Sequence, residues 1–248
     1  MRAPTVKATL QRRILVNYRV QPDALTAILP PPFRPALVHG YGIAGICLIR
    51  LGDLRLACFP ALPGPTTENM AHRIAVEWDS AEGPVNGVYI PRRDTSSLVT
   101  KLLGGRAFPG WHHLAPFGVE EHGGRYRVDI ASRDGEVQVA VAAHRVDDGS
   151  PGSVFGDVEE ASAFFRCAPM GYAATPRRGV FDGVTLTAED WSIMTLHLDE
   201  LRSSFFDDPE RFAPGTVSFD SAFLMADLET TWQPQPALRA PTAEEVSR

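Results

Sequence analysis

The chain has 248 residues, of which 44% are hydrophobic, and its formal net charge at neutral pH is −6. This length can form one large β-rich domain or two small ones, and the composition can bury a sizeable core. The negative charge argues against a nucleic-acid-binding surface, because phosphate contacts need clustered cations. No apolar run reaches membrane-spanning length, and the first residues show no secretory signal. We therefore expect a cytoplasmic protein without nucleic-acid or membrane partners.

The chain in order predicts many short strands separated by hairpin turns, because apolar residues alternate between Gly, Pro and Asp-Gly turn signals. We predict a flexible arm at residues 1–10, a single domain at residues 11–232 and a disordered tail at residues 233–248. Strands are predicted at Ile14–Val20, Ala36–Val38, Ile43–Leu51, Met70–Trp78, Val85–Ile90, His113–Glu121, Arg125–Ser132, Glu136–Val146, Val180–Leu186, Trp191–Leu198, Val217–Phe219 and Ala222–Trp232.

Three short helices are predicted between these strands, at Pro22–Leu29, Ser96–Gly105 and Asp157–Arg166. Proline, serine and aspartate suit their first turns, and acidic residues early in a helix complement its dipole. The fold class is therefore α+β, with an antiparallel sheet that is closed or half-closed and a few short peripheral helices. Edge strands left by an incompletely closed sheet favour a homo-oligomer.

Several common site patterns are excluded by their context. Gly40-x-Gly42-x-x-Gly45 matches the dinucleotide fingerprint, but a strand-like run follows it instead of a helix, so these glycines are interpreted as turn and close-packing positions. His112 and His113 are adjacent on a strand and point to opposite faces, so we expect no metal site. No GxSxG motif occurs, and no cysteine has a recognisable nucleophile context. No cofactor is expected.

Polar chemistry is concentrated between Thr66 and His113, on segments that otherwise have the pattern of core strands. The first predicted strand carries acidic, amide and basic side chains. The second ends in Pro-Arg-Arg-Asp-Thr-Ser-Ser, which places cations and hydroxyls at the end of a buried strand. Dense polar groups beside a core are typical of a binding site. The candidate residues are Glu68, His72, Tyr89, Arg92, Arg93, Thr95 and Ser96.

Alternation along the second strand distinguishes the two arginines. Arg92 is expected to share a face with Val88 and Ile90, while Arg93 is expected to point the other way with Tyr89. If Val88 and Ile90 face the interior, the guanidinium of Arg92 lies at the inner mouth of the core and must be paired. Its partner could be the carboxylate of a ligand, held bidentately, or a structural acid. The structural candidates are Glu68, Glu77 and Asp94.

The segments RRILVNYRVQPDALTAILPPPFRP, TTENMAHRIAVEW and GVYIPRRDTSS resemble the uncharacterised bacterial YqjF-like family, and more distantly acetoacetate decarboxylase. The resemblance implies an antiparallel sheet curled into a cone around a ligand cavity, usually in an oligomer. The decarboxylase uses the first of two paired lysines as a Schiff-base nucleophile, and these positions match Arg92 and Arg93. Arginine stays protonated and cannot form a Schiff base. An arginine that binds the substrate carboxylate corresponds to Arg12 or Arg13.

The expected function is therefore the binding of an anionic or oxo-carboxylate small molecule in the β-cone, near Arg92. As an enzyme, the protein would be a lyase, hydratase or cyclase without a Schiff base, with arginine stabilising enolate-like charge and with Arg92, Glu68 and His72 as catalytic candidates. Two alternatives remain open. One is a ligand-binding module without catalysis, and the other is a structural homo-oligomer whose cavity is filled by side chains.

Overall fold

The computed structural model describes residues 4–58, 64–80, 82–103, 110–147, 152–189 and 191–241. The strands of this part of the chain form one curled sheet, accompanied by short helices. The elements are β1 Val6–Val20, α1 Pro22–Ile28, β2 Arg34–Pro35, β3 Leu37–Val38, β4 Tyr41–Leu56, β5 Thr67–Ser80, β6 Gly83–Thr95, α2 Leu98–Leu103, β7 His112–Leu114, β8 Phe117–His122, β9 Arg125–Ala131, β10 Gln138–Arg145, α3 Val158–Arg166, β11 Met170–Ala174, β12 Val180–Ala188, β13 Met194–Ser203, β14 Val217–Met225 and β15 Leu228–Arg239.

Seven strands close into a ring, in the order β4, β5, β6, β11, β12, β15, β1 and back to β4. Strand β1 makes the closure possible because it pairs along one edge with β4 and, through its first residues, along the other edge with β15. Neighbouring strands of the ring are antiparallel except β6 and β11, which are parallel. Closure removes free edges from these strands. The curled α+β architecture predicted from the sequence is confirmed.

A second row of strands continues from the ring. The C-terminal half of β1 pairs with β14, which is followed by β13, β10, β9 and β8. One hydrophobic core joins Ile14, Leu48 and Ile74 of the ring strands to Val128 and Val141 of this second row. A separate core on the other face of β1 and β4 includes helix α3. Because both faces of β4 pack against protein, this strand is apolar almost without alternation.

The pattern of Gly40, Gly42 and Gly45 serves the turn between β3 and β4 and the close packing of β4, as predicted. Gly40 has a φ of +86° in the turn between β3 and β4, a conformation that side chains disfavour. A Cβ atom at Gly45 would lie 2.2 Å from the backbone carbonyl oxygen of Val16 on β1. Strand β4, and no helix, contains the last two glycines of the pattern. The absence of a side chain at Gly45 therefore allows β1 and β4 to approach each other.

Both ends of the chain differ from the prediction. Strand β1 begins at Val6, so residues 6–10 are not a flexible arm, and β15 extends to Arg239, so residues 233–239 are not a disordered tail. The reason is a pairing between distant segments, with Val6 opposite Trp232 and the end of β15 bonded to β12. The remainder of the predicted tail, residues 242–248, lies outside the described residues. Strand β11 was not predicted.

The helices follow their predicted positions with shorter bounds. Asp157 caps α3, and its carboxylate accepts a hydrogen bond from the Glu160 amide at 2.7 Å. In α2, by contrast, the apolar side chains of Leu98, Val99 and Leu102 are exposed. Among the described residues, no helix is both long and apolar enough to cross a bilayer.

We predict that Gly45→Ala destabilises the protein by about 1–3 kcal/mol, because the added methyl group forces β1 and β4 apart. Urea unfolding monitored by tryptophan fluorescence measures the change. Gly118→Ala is the matched control, since its Cβ would have no neighbour closer than 3.8 Å. Equal stability of Gly45→Ala and the parent protein would contradict the tight packing of the ring.

Candidate functional site

A cavity of about 330 Å³ lies inside the ring. Each of the seven ring strands contributes to its lining, and the end of α3 adds aromatic side chains. Most of the wall is apolar, which is typical of a small-molecule site with a few polar groups for orientation. Its apolar residues include Ile49, Ala75, Ile90, Phe165, Val184 and Trp232.

The charged side chains of this lining are mostly arginines. Arg13 on β1, Arg73 on β5 and Arg93 on β6 border the cavity, together with Arg166 at the end of α3. Burial lowers the pKa of Arg93 to about 10, against the opposing effect of the charges of Asp182 and Cys47. Arg93 therefore stays protonated at neutral pH. The cavity is thus a positively charged chamber with an apolar wall.

The structure corrects the expected orientation of Arg92 and Arg93. Tyr89 is paired with Ile74 and Arg92 with His72, so two residues of β6, at positions 90 and 91, oppose one residue of β5. This β-bulge shifts the alternation by one position. Val88 and Ile90 line the cavity as predicted, but Arg93 lies there with them and Arg92 does not.

Arg92 does not border the cavity and instead binds carboxylates of the protein itself. Its Nη2 lies 2.8 Å from Oδ1 of Asp94, whose side chain is fully buried, and 2.9 Å from Oδ2 of Asp134 in the turn between β9 and β10. His113 Nδ1 lies 2.8 Å from the same Asp134 oxygen. Burial raises the pKa of Asp134, but hydrogen bonds from Ser132, the Glu136 amide, Arg92 and His113 outweigh it and hold this pKa well below its usual range. Arg92 therefore ties β6 to the second row of strands.

Arg12 and Arg13 are divided in the same way as Arg92 and Arg93, because one of them borders the cavity and the other does not. The pairing of β1 with β4 shifts between Leu10 and Arg12, so the residues on either side of Gln11 do not follow simple alternation. Arg13 borders the cavity, whereas Arg12 does not. Of the two candidates left open by the sequence, Arg13 is therefore the one that borders the cavity.

Arg12 and Glu68 belong to an ion-pair cluster outside the cavity lining. Arg12 Nη2 lies 2.5 Å from Glu68 Oε2, and Arg50 Nε lies 2.6 Å from Glu68 Oε1. Glu121 of β8 bonds to both arginines. This network joins β1, β4 and β5 to the end of the second row of strands. It satisfies the carboxylate of Glu68, so the structure does not place this residue as a catalytic acid in the cavity.

The remaining predicted residues are also outside the lining. His72 is fully buried and stacks on Phe205 with ring centroids 4.5 Å apart. Burial, followed by the charges of Arg92 and Arg211, lowers the pKa of His72 to about 3. Tyr89 packs against Phe33 and Phe181, and burial raises its pKa to about 12.

Thr95 and Ser96 bind neighbouring chain segments. The Thr95 hydroxyl donates to Asn69 Oδ1 at 2.8 Å, and the Ser96 hydroxyl accepts from the Glu68 amide at 3.0 Å. The two hydroxyls thus fix the start of β5 against the end of β6. Of the candidate residues that the sequence indicated between Thr66 and His113, Arg93 borders the cavity, and the others make structural contacts.

Cys47 is a cavity residue that sequence reasoning missed. The side chain is buried on β4, and its Sγ accepts a hydrogen bond from Arg13 Nη2 at 3.7 Å. Burial raises the pKa of the thiol, but the charges of Arg13 and Arg73 and hydrogen bonds from both outweigh burial and lower it. The sequence around Cys47, ICLIR, gives no sign of this charged environment, because Arg13 and Arg73 belong to other strands.

In the described residues, Arg13 and Arg73 contact sulfur atoms, an amide oxygen and an aromatic ring. Arg13 Nη1 contacts Met225 Sδ at 3.9 Å, and Arg73 donates to Asn17 Oδ1 and lies 4.7 Å from the centroid of the Phe165 ring. Neither guanidinium forms an ion pair with a carboxylate of the described chain. Asp94 is the acidic residue in the described part of the cavity lining, and its carboxylate is bonded to Arg92.

His112 is the titratable base of the described lining. Its Nδ1 lies 3.2 Å from the Gly110 carbonyl oxygen. Burial and then the charge of Arg93 lower its pKa to about 3, against the raising effect of the Gly110 hydrogen bond, so the ring is neutral at physiological pH. In the ranges that the structure describes, no three His, Cys, Asp or Glu side chains are grouped as metal ligands.

Comparisons with solved structures identify the fold as acetoacetate decarboxylase-like. The chain is similar to acetoacetate decarboxylase from Legionella pneumophila, with a TM-score of 0.60 and 12% identity over 98% of this chain and 89% of that one. It is also similar to an acetoacetate decarboxylase-like enzyme from Sphingomonas wittichii, with a TM-score of 0.57 and 15% identity over 98% and 94%.

A further similar structure is the enduracididine biosynthesis enzyme MppR, in complex with the condensation product of pyruvate and imidazole 4-carboxaldehyde. Its TM-score is 0.54, with 15% identity over 96% of this chain and 90% of that one. No family model and no curated protein matches the sequence. At these identities the likeness establishes the fold and leaves the activity open.

The buried His72 predicts a pH dependence of stability. Its pKa of about 3 lies below the unfolded value of about 6.5, so the unfolded chain binds more protons and stability falls as the pH drops from about 6.5 toward 3. His72→Phe, which keeps the stacking on Phe205, should reduce the slope of unfolding free energy against pH by about one proton in this window. Urea titrations at several pH values measure this slope.

Other groups, including His112, contribute to the same slope, so the comparison is between variants. His122→Phe changes an exposed histidine on β8 and should leave the slope at the parent value. An unchanged slope in His72→Phe would contradict a buried neutral imidazole.

Proposed function

We propose that the protein binds a small carboxylate or oxo-carboxylate in the ring cavity, with Arg13, Arg73 and Arg93 as the cationic groups. We also propose that it groups with the YqjF-like proteins that its sequence resembles. The observation that carries the proposal is the convergence of arginines from three strands on one mostly apolar cavity.

The charge distribution supports an anionic ligand. A guanidinium removed from water requires hydrogen-bond acceptors or an opposite charge. Arg13 and Arg73 have sulfur, amide and aromatic neighbours among the described residues, and none of these neighbours is a carboxylate. A carboxylate in the cavity would supply both the charge and the acceptor atoms, in the bidentate geometry that arginine favours.

The proposal excludes Schiff-base chemistry. The sequence contains Lys7 and Lys101 and no other lysine. Both are exposed, and neither borders the cavity. The structure places arginine at the cavity position of the Pro-Arg-Arg segment, and arginine retains its proton. Any reaction would therefore be of the lyase, hydratase or cyclase type, with guanidinium groups stabilising developing negative charge on oxygen.

A binding module without catalysis is the second candidate, and a specific observation favours it. Proton transfer near neutral pH needs a group that titrates in that range. In the described lining, His112 has a pKa of about 3 and Asp94 is held by Arg92. The cavity thus offers strong anion recognition but few of the usual acid–base groups.

Binding is tested by thermal denaturation with acetate, pyruvate, acetoacetate and succinate as probes. We expect at least one probe to raise the melting temperature of the parent protein, because a ligand at 100 times its Kd stabilises by about 2.7 kcal/mol. Arg93→Ala should weaken binding roughly ten- to a hundredfold, the effect of losing charge-assisted hydrogen bonds.

Arg92→Ala is the matched control at the neighbouring position. It should retain the ligand-induced shift while losing about 3 kcal/mol of stability, because it leaves Asp94 buried without its cation. The reverse pattern, with binding lost in Arg92→Ala and kept in Arg93→Ala, would contradict the proposed site. Borohydride with acetoacetate should trap no adduct in the parent protein; a trapped adduct would contradict the exclusion of a Schiff base.

We also propose a cytoplasmic homo-oligomer. Leu98, Val99 and Leu102 of α2 and Trp111 are exposed, which leaves apolar surface beside the ring. Light scattering should give at least a dimer at micromolar concentration, and Val99→Glu with Leu102→Glu should lower the mass. Lys101→Glu on the same helix should not. A monomeric parent protein at high micromolar concentration would contradict this proposal.

A further inference from the structure

We propose that Cys47 is a covalent attachment point in the cavity, where its sulfur adds to the carbonyl carbon of a 2-oxo acid whose carboxylate is bound by Arg13 and Arg73. The proposal rests on the proposed function, which supplies the carboxylate, and it extends that function to a reacting atom.

Position is the first argument. Cys47 is 3% exposed and borders the cavity, whereas Cys58 and Cys167 are at exposed positions. Its strand neighbour Ala71 and the partner of Ala71, Arg93, border the same space. Cys47 therefore belongs to the cavity wall, and it also packs in the second hydrophobic core.

The second argument is the arrangement of cations around the sulfur. Arg13 donates to Sγ from β1, and Arg73 approaches it from β5. Arg73 is 4% exposed and borders the cavity, and its Nε, like that of Arg13, has no hydrogen-bond partner in the described part of the chain. In the proposed complex, a ligand carboxylate close to the thiol accepts hydrogen bonds from these N–H groups. The same charges favour the thiolate, which is the reactive form.

The Cys47 thiol and the 2-oxo acid together supply every atom and electron pair of the addition. The sulfur–carbon bond forms as the π bond of the ketone breaks, and the carbonyl oxygen receives the proton that the thiol loses, by way of solvent. The product is a thiohemiketal, and its oxygen, negative before it is protonated, lies in a cavity bordered by guanidinium groups. No oxidant, metal or second substrate is needed, and the reverse reaction releases the 2-oxo acid.

The first test compares alkylation of the folded parent protein by iodoacetate and by neutral iodoacetamide. In each reaction the sulfur–carbon bond forms and iodide leaves. Peptide mass spectrometry gives the rate at each cysteine, with exposed Cys58 and Cys167 as internal references. The ratio of the iodoacetate rate to the iodoacetamide rate should be on the order of tenfold higher at Cys47, because a charge-assisted hydrogen bond binds the carboxylate reagent.

Variants separate the cation effect from simple accessibility. Arg13→Gln should lower the ratio at Cys47 to that of the exposed cysteines. Arg50→Gln, on the same strand as Cys47 but bonded to Glu68 and Glu121, should not change it. Equal ratios at all three cysteines of the parent protein, or no modification of Cys47 in the folded state, would overturn the proposal.

The second test uses pyruvate labelled with carbon-13 at its ketone carbon. The parent protein should convert a protein-bound fraction of the ketone NMR signal to that of a saturated carbon, and Cys47→Ser should not. Thermal stabilisation by pyruvate in both proteins without the saturated-carbon signal would overturn the covalent step and leave the proposed binding function standing. Absence of stabilisation by any carboxylate probe would overturn both.

Discussion

The pairing of β1 with both β4 and β15 is the constraint on which the rest of the structure depends. It joins the two ends of the chain, with Val6 opposite Leu56 on one side and Trp232 on the other. Without this double pairing the strands would form an open sheet with exposed edges. With it, side chains from seven strands converge on one cavity. The approach of β1 to β4 also depends on Gly45, where a side chain has no room.

Two β-bulges then decide which arginines face the cavity. In Arg12–Arg13 and in Arg92–Arg93, the first member is held by carboxylates and the second borders the cavity. A bulge adds one residue to a strand and reverses the faces of all residues after it. Alternation places consecutive arginines on opposite faces, and the bulge decides that the second one faces the cavity.

The chemistry of the cavity follows from the described neighbours of Arg13 and Arg73. Carboxylates occur in the neighbouring clusters, where Glu68, Glu121, Asp94 and Asp134 bind Arg12, Arg50 and Arg92. The described cavity wall instead places a thiol, an amide and an aromatic ring near Arg13 and Arg73. Such a wall is the basis for the proposals that the cavity binds an anion and that Cys47 reacts there. The acetoacetate decarboxylase-like fold thus carries a site without the lysine of the decarboxylase.

The sequence by itself determined the class of fold, the positions of most strands and the presence of arginines, with no lysine, in the Pro-Arg-Arg segment. Apolar periodicity and turn residues depend on near neighbours in the chain, and the two lysines can be read directly. It also located the Pro91-Arg92-Arg93 segment beside the interior. The tertiary structure alone decided that Arg93 and not Arg92 faces the cavity, because the bulge depends on the pairing of β6 with β5. It alone brought Arg13 and Arg73 to Cys47, because β1 and β5 pair along the two edges of β4 and the register of these pairings decides which side chains meet.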